Sequence, residues 1–413
     1  MFFWGQPVRI RTITVFDNPG FPVADDVLAR AGRAAAAIKS ALEAEGDEVQ
    51  TVRFALPPFA PIVCNNAADV PRLAAQLEAG CADQQIDYAT IGPAQPNDQA
   101  DLFHAIPDAL GATGRVFASA LIADARTGIG LEAVRLAAAV VHRAAALTPD
   151  GFGNLRFAAL ANVPAGVPFL PAAYHGPGGP AVAVGLEAAD LAVTAFSEAS
   201  TPADARRRLI DLVETGARRV FSTLGRACPK EYRLGGIDCS LAPFPEAARS
   251  IGTAFEILTG RPTGERGTLA AVAFVADTLD RAQFARAGYS GVFLPVFEDA
   301  ILAARAAEGC FTVSDLLLWS SVCGTGLDTV PLPGDTPADA LAAILLDVAA
   351  LALRLGKPLS ARLMPIPGRR AGDTVTFDFP YFAPSRVLAA GATGIGGLLA
   401  RANSIEIRAK CRA

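Results

Sequence analysis

Apolar and polar positions alternate from Val8 to Phe16, where Ile10, Ile13 and Val15 are interleaved with Arg9, Arg11, Thr12 and Thr14. That period of two predicts a half-buried strand over residues 9–16, closed by the turn Asp17-Asn18-Pro19-Gly20. The period then changes. Val27, Leu28, Ala31, Ala35, Ile38 and Leu42 fall on one face of a helix over residues 25–45, and Gly46 is its stop. Strands at 49–55, 88–91, 116–122 and 155–162, with a helix at 130–146, continue the rhythm. Such alternation predicts parallel strands joined by crossover helices, an α/β architecture.

The stretch from Pro168 to Asp190 breaks the pattern with a Gly/Pro loop, Tyr174-His175-Gly176-Pro177-Gly178-Gly179-Pro180, which must run at the surface or over a cavity. Thr201-Pro202-Ala203-Asp204 opens a long helix to about residue 224, with Thr at the N-cap and Pro in the first turn. The same four residues recur at 336–339, read as a repeated cap over a helix at 337–355. Between these lie a strand at 236–243, helices at 250–259 and 268–285, and a strand at 291–296. A helix then begins at Phe297-Glu298-Asp299, and another, capped by Thr312 with Asp315, leads into Cys323. Residues 320–337 read as a Gly/Pro-controlled loop, and 359–366 as a last strand. No Ser/Gly-rich or charged linker interrupts the chain, so residues 1–413 are expected to form a single domain.

Composition narrows the function classes. The 413 residues are 52% hydrophobic and carry a net charge of -5 without a basic block, which argues against nucleic acid as a partner. Seven cysteines, with no Cys-x-x-Cys, point to reduced thiols and a cytoplasmic setting. Residues 1–5 lack the basic start of a signal peptide, and the apolar run 341–355 is too short and too charged to span a bilayer. No dinucleotide or phosphate-loop fingerprint occurs, so no nucleotide cofactor is expected.

The ionisable residues on loops and strands are the candidate chemistry. Cys323 sits beside Gly324 and Gly326, glycines that would let a ligand approach the backbone; it reads as a nucleophile or as a small buried hydrophobe. Asp328 and Asp335 could divide acid and base roles or bind a divalent cation, the alternatives being a turn for Asp328 and a helix cap for Asp335. His175 is the strongest acid–base candidate among the three histidines. Asp238 and Ser240 share one face of a buried strand and are expected to face the interior. Arg9, Arg11 and Arg362, on apolar strands, could anchor a carboxylate or phosphate, or pair internally with Asp238 or Glu187. Glu187, Glu298 and Asp299, with Asp335, are the candidate ligands for a divalent metal; Glu298 and Asp299 could equally complement a helix dipole.

Several stretches resemble the family known as domain of unknown function 711, or uncharacterised protein family 0210, also called "PFL family" proteins. They are Val8–Thr14, Gly185–Asp190, Gly236–Pro243, Gly291–Asp299, Val322–Asp328 continuing to Pro333–Thr336, and Ala361–Gly368. The resemblance implies a pyruvate formate-lyase-like barrel of about ten strands wrapped by helices, with loops entering the interior. It further implies a homodimer, and family members are often encoded beside a small ACT-domain protein, a candidate partner. The glycine cluster Gly391-Ala392-Thr393-Gly394-Ile395-Gly396-Gly397 lacks the context of a glycyl-radical element, so radical chemistry is not expected. The combined expectation is an enzyme performing lyase, hydrolase or isomerase chemistry on a small anionic metabolite inside the barrel. The alternative is a non-catalytic, ligand-binding regulator acting with the ACT-domain protein.

Overall fold

A computed structural model describes residues 7–410. Nine strands follow one another across its main sheet: β1 (Arg9–Phe16), β2 (Val52–Ala55), β3 (Tyr88–Ala94), β4 (Val116–Asp124), β5 (Phe157–Ala161), β6 (Ala181–Glu187), β7 (Arg233–Ala242), β8 (Gly326–Pro333) and β9 (Leu359–Ile366). Their spatial order is β8-β9-β5-β4-β3-β2-β1-β6-β7, and three shorter strands lie off this path. β1 to β5 are mutually parallel. β6 and β7 are parallel to each other, as are β8 and β9. Each of these pairs joins the five antiparallel, β6 beside β1 and β9 beside β5.

Helices connect the parallel strands, as the alternation requires: α1 (Asp25–Ala44), α2 (Val70–Asp83), α3 (Ala100–Gly111) and α4 (Leu131–Ala145) in the first half. α1 buries Leu28, Ala31, Ala35, Ile38 and Leu42, the stripe anticipated from its spacing. The second half carries α5 (Ala189–Ser197), α6 (Pro202–Ala227), α7 (Ile251–Thr259), α8 (Thr268–Arg281), α9 (Ala300–Glu308), α10 (Val313–Cys323) and α11 (Ala338–Leu355). Thr201 caps α6 through Asp204 N, and Thr312 and Asp315 form a reciprocal cap on α10. The recurrence at 336 is not a cap. Pro337 precedes α11, and the Thr336 hydroxyl donates to Pro333 O at 2.7 Å.

Three expectations change. Residues 326–333 are strand rather than loop, because Gly326 and its neighbours pair with β9. Residues 291–296 are not a regular strand. They belong to an irregular segment that touches β7 through Ile237 and Arg286 and β8 through Pro295 and Asp328, each an isolated bridge. The barrel is therefore not closed by a hydrogen-bonded ladder: β7 and β8 are edge strands, and the segment between them spans the gap. Side chains from eight of the nine strands nevertheless line one cavity, which requires the sheet to curve around it. The Gly/Pro loop that begins at Pro168 enters this concave side. Phe169, Leu170 and Ala172 are buried, and the Thr14 hydroxyl donates to Pro168 O at 2.7 Å. No helix among the described residues is long and apolar enough to cross a membrane.

Candidate active site in the concave face

The cavity has a volume of about 290 Å³. Strand alternation delivers its polar groups: Arg11 from β1, Arg53 from β2, Asp328 from β8, and Ser360 and Arg362 from β9. Glu298 reaches it from the turn before α9. Most of these charges neutralise one another in a single chain. Arg249 Nε donates to Glu187 Oε1 at 2.9 Å, and Arg11 Nη1 to Glu187 Oε2 at 3.2 Å. Arg11 Nη2 meets Glu298 Oε2 at 2.5 Å, Arg362 Nη2 meets Glu298 Oε1 at 2.7 Å, and Arg362 Nε meets Asp328 Oδ1 at 2.6 Å. Three guanidiniums thus alternate with three carboxylates in a largely water-excluded setting. Arg362 is 8% exposed and Glu187 3%. Burial lowers the Arg362 pKa, but the pairing with Asp328 and then Glu298 outweighs it and holds the pKa above its ordinary value. Burial raises the pKa of Asp328, against the opposing effect of Arg362.

Arg53 stands outside this balance. Its Nε donates to Thr51 Oγ1 at 3.0 Å, and among the described residues no carboxylate pairs with it. Burial, then the neighbouring charge of Arg11, pushes its pKa down to about 10, so it remains a cation at neutral pH. Arg53 is half-buried, and a cation removed from much of the bulk water is favoured by a counter-ion supplied within the cavity. Arg156 also lines the cavity, but its terminal nitrogens bond carbonyls, Leu110 O and Thr113 O at 2.7 Å each.

A second polar feature is Tyr289. Its buried hydroxyl makes no hydrogen bond of good geometry within the protein and lies beside the Ser360 hydroxyl, which donates to Thr325 O at 3.1 Å. Burial raises the pKa of this phenol. Asp238 sets the position of Tyr289. It accepts hydrogen bonds from Tyr289 N at 2.7 Å, Ser290 N at 2.9 Å and the Ser240 hydroxyl at 2.6 Å. Ser240 Oγ in turn accepts from Gly291 N at 3.1 Å.

Of the residues expected to do chemistry, Asp328, Arg11, Arg362 and Glu298 are brought together. Asp238 and Ser240 are not cavity groups. They lie on the strand face whose next member, Ala242, does reach the cavity, but the 288–291 turn covers them. Cys323 is 1% exposed within the main hydrophobic core and accepts a bond from Thr325 N at 3.4 Å, which makes it a packing residue. Gly324 terminates α10 at φ +93°, and Gly326, at φ +102°, lies so close to Ser360 that a Cβ would collide with its backbone. Both glycines serve backbone approach rather than ligand approach. Arg9 pairs with Asp190 at 2.8 Å at the sheet's outer rim. Asp299 is fully buried and caps helices, and Asp335 is exposed. Among the described residues no three His, Cys, Asp or Glu side chains converge, so the four metal candidates do not form a site. The glycine cluster at 391–397 is largely exposed, with Gly394 near Asp339 at the start of α11.

His175 does not line the cavity, although Ala172, three residues before it, does. It is 7% exposed, and its backbone N–H donates to Leu56 O at 2.9 Å. Burial depresses its pKa, against Asp17 and a hydrogen bond with the Gly178 backbone, and with Arg233. A depressed basic pKa contributes stability that is complete above the unfolded value of about 6.5 and is lost as pH falls through the folded value. Urea unfolding between pH 7.5 and 4.5 is therefore expected to show a shallower loss of stability in His175→Gln than in the parent. Equal slopes would remove His175 from the acid response.

Sequence reasoning passed over Arg53, Tyr88 and Tyr289. For Arg53 the signal was present: it is the polar residue between Val52 and Phe54, the same alternation that marked Arg11. Tyr289 carries no such signal, because its segment has no period.

Fold and site together define a mixed α/β protein with a curved sheet around an internal cation-bearing cavity. The chain belongs to the family described as "Uncharacterised ACR (DUF711)", whose sequence profile matches residues 5–381. It is 35% identical over 344 residues to a UPF0210 protein of Pyrobaculum arsenaticum, covering 79% of this chain and 76% of the relative. It is 33% identical over 405 residues to a UPF0210 protein of Oleidesulfovibrio alaskensis, covering 90% and 88%. The matched region includes every cavity residue from Arg11 to Tyr381.

Proposed function

We infer that this chain binds a small organic anion on Arg53 and carries out non-redox proton-transfer chemistry on it, of the lyase, isomerase or hydrolase kind. The observation that supports this reading is the charge balance. Arg249, Arg11 and Arg362 are paired with Glu187, Glu298 and Asp328, Arg249 also with Glu246; of the two lining arginines without a carboxylate, Arg156 spends its terminal nitrogens on backbone carbonyls, whereas Arg53 leaves its terminal N–H groups as a fork suited to a carboxylate. Asp328, with its raised pKa, is the group that moves the proton, and the Tyr289 hydroxyl donates to an oxygen of the bound molecule. We read the chain as one domain, since one cavity draws on residues from Arg11 to Tyr381.

The test is calorimetric titration with small carboxylates, on the parent and on Arg53→Met. The parent is expected to bind, and the variant to lose about tenfold or more in affinity, the value of a charge-assisted bidentate contact. Equal affinity in the two proteins would sink the reading. The saturation of Asp328 and Glu298 by arginines favours a second reading, a rigid binding protein that regulates an ACT-domain partner. A ligand recovered unchanged after prolonged incubation supports that reading, and a transformed one supports catalysis. A cytoplasmic setting and a homodimer complete the proposal, the latter tested by light scattering on the purified protein.

A further inference from the structure

We propose that the anion taken by this cavity is an aryl monocarboxylate, a carboxyl group joined by a short chain to an aromatic ring. The proposal rests on the reading of Arg53 as the anion anchor and adds what the remainder of the cavity recognises. The apolar walls combine aromatic rings with leucine, alanine and proline, and the rings supply most of their bulk. Phe169 meets Phe293 edge to face, with centroids 5.0 Å apart and planes at 74°, and Tyr289 meets Phe293 at 5.8 Å and 77°. Tyr88 and Phe117 form a like pair at 5.6 Å and 86°. Rings in this arrangement expose positive edges beside negative faces, which an aromatic guest complements and a saturated one does not.

The aromatic wall starts at the cation. Tyr88 is the cross-strand partner of Arg53 and stands edge-on to Phe117, so a molecule held by its carboxylate on Arg53 extends along a ring surface. Size agrees. A cavity of about 150 Å³ accommodates benzene. The 290 Å³ here is close to double that, which leaves room for the ring, a carboxyl group and a short chain. The Tyr289 hydroxyl, which makes no hydrogen bond of good geometry within the protein, lies on the same ring wall as Phe293 and can hydrogen-bond an oxygen on the guest.

The experiment titrates the full chain with 3-phenylpropionate, 3-cyclohexylpropionate and 3-phenylpropan-1-ol, in the parent, Arg53→Met, Arg53→Lys and Phe293→Leu. The saturated ring is the more hydrophobic, so simple apolar burial predicts that it binds tighter. The proposal expects the reverse, with the phenyl acid favoured about three- to tenfold, the worth of aromatic complementarity. It also expects Arg53→Met to weaken both acids about tenfold or more, Arg53→Lys to restore part of that loss, and the neutral alcohol to bind weakly throughout. Phe293→Leu, an apolar exchange, should erase the phenyl preference while leaving the dependence on Arg53 intact. If the cyclohexyl acid binds as well or better while Arg53→Met still weakens both, the aryl class is overturned and the anion site stands. If phenyl-acid binding is indifferent to Arg53, or neither acid binds, both readings fail.

Discussion

Replacing Arg362 with methionine is expected to lower the unfolding free energy by about 3–5 kcal/mol, the largest loss of any single change at the cavity. Arg362 is 8% exposed and bonds Asp328 at 2.6 Å, Glu298 at 2.7 Å and the Leu155 carbonyl at 3.4 Å. Its removal would leave Asp328 without its cation and reduce Glu298 to the single partner Arg11. The cost arises less from the lost attraction than from stranding a carboxylate where water solvates it poorly. Asp328→Asn should therefore rescue much of the loss in the double variant, while costing less alone, because Arg362 keeps Glu298. Urea unfolding of the four members of this cycle measures the coupling, expected at about 1–3 kcal/mol. A loss below about 1 kcal/mol for Arg362→Met would show that the ion chain is solvated and that the charge balance around Arg53 has been misjudged.

Asp299→Ala should rival it, at about 3–5 kcal/mol, for a different reason. This residue, expected as a metal ligand, is fully buried and ties two helices together. Oδ1 accepts from Ile301 N and Leu302 N at 2.9 Å each, capping α9. The same carboxylate receives the Ser250 hydroxyl and Ile251 N, both at 2.6 Å, at the start of α7. Alanine strands these buried donors together, each at about 1–3 kcal/mol. Asparagine keeps one acceptor and should lose about half as much. Unfolding measured with a metal chelator present and absent separates this role from ligation: a metal ligand would show chelator sensitivity in the parent, and a cap shows none.

Local order was readable because it depends on neighbours in the chain. The α1 stripe, the Thr201 and Thr312 caps and the alternation in β1 each fit within a few turns or residues. The cavity is different. Arg11 finds Glu298 at a separation of 287 residues, and Arg362 finds Asp328 at 34. Spacing identified these residues as interesting and could not reveal that they satisfy one another. Cys323 misled for the converse reason. The two glycines that follow it resemble ligand access, yet Gly291 and Ser360 are the groups that press against that backbone. Asp238 was placed on the right strand face, but a turn arriving from 288–291 covers it.

The opposed run of the two sheet regions bears on how this protein could change its specificity. In an open parallel sheet the carboxyl ends of all strands gather at one end, and the loops there can lengthen or shorten around a new ligand. Here β6 and β9 run against β1 and β5, so no single end collects every loop. Recognition falls instead to side chains within the strands, among them Arg11, Arg53, Asp328 and Arg362. Retargeting would proceed by exchanging residues on a fixed lattice rather than by grafting loops. Each exchange would have to preserve the ion chain on which its neighbours depend.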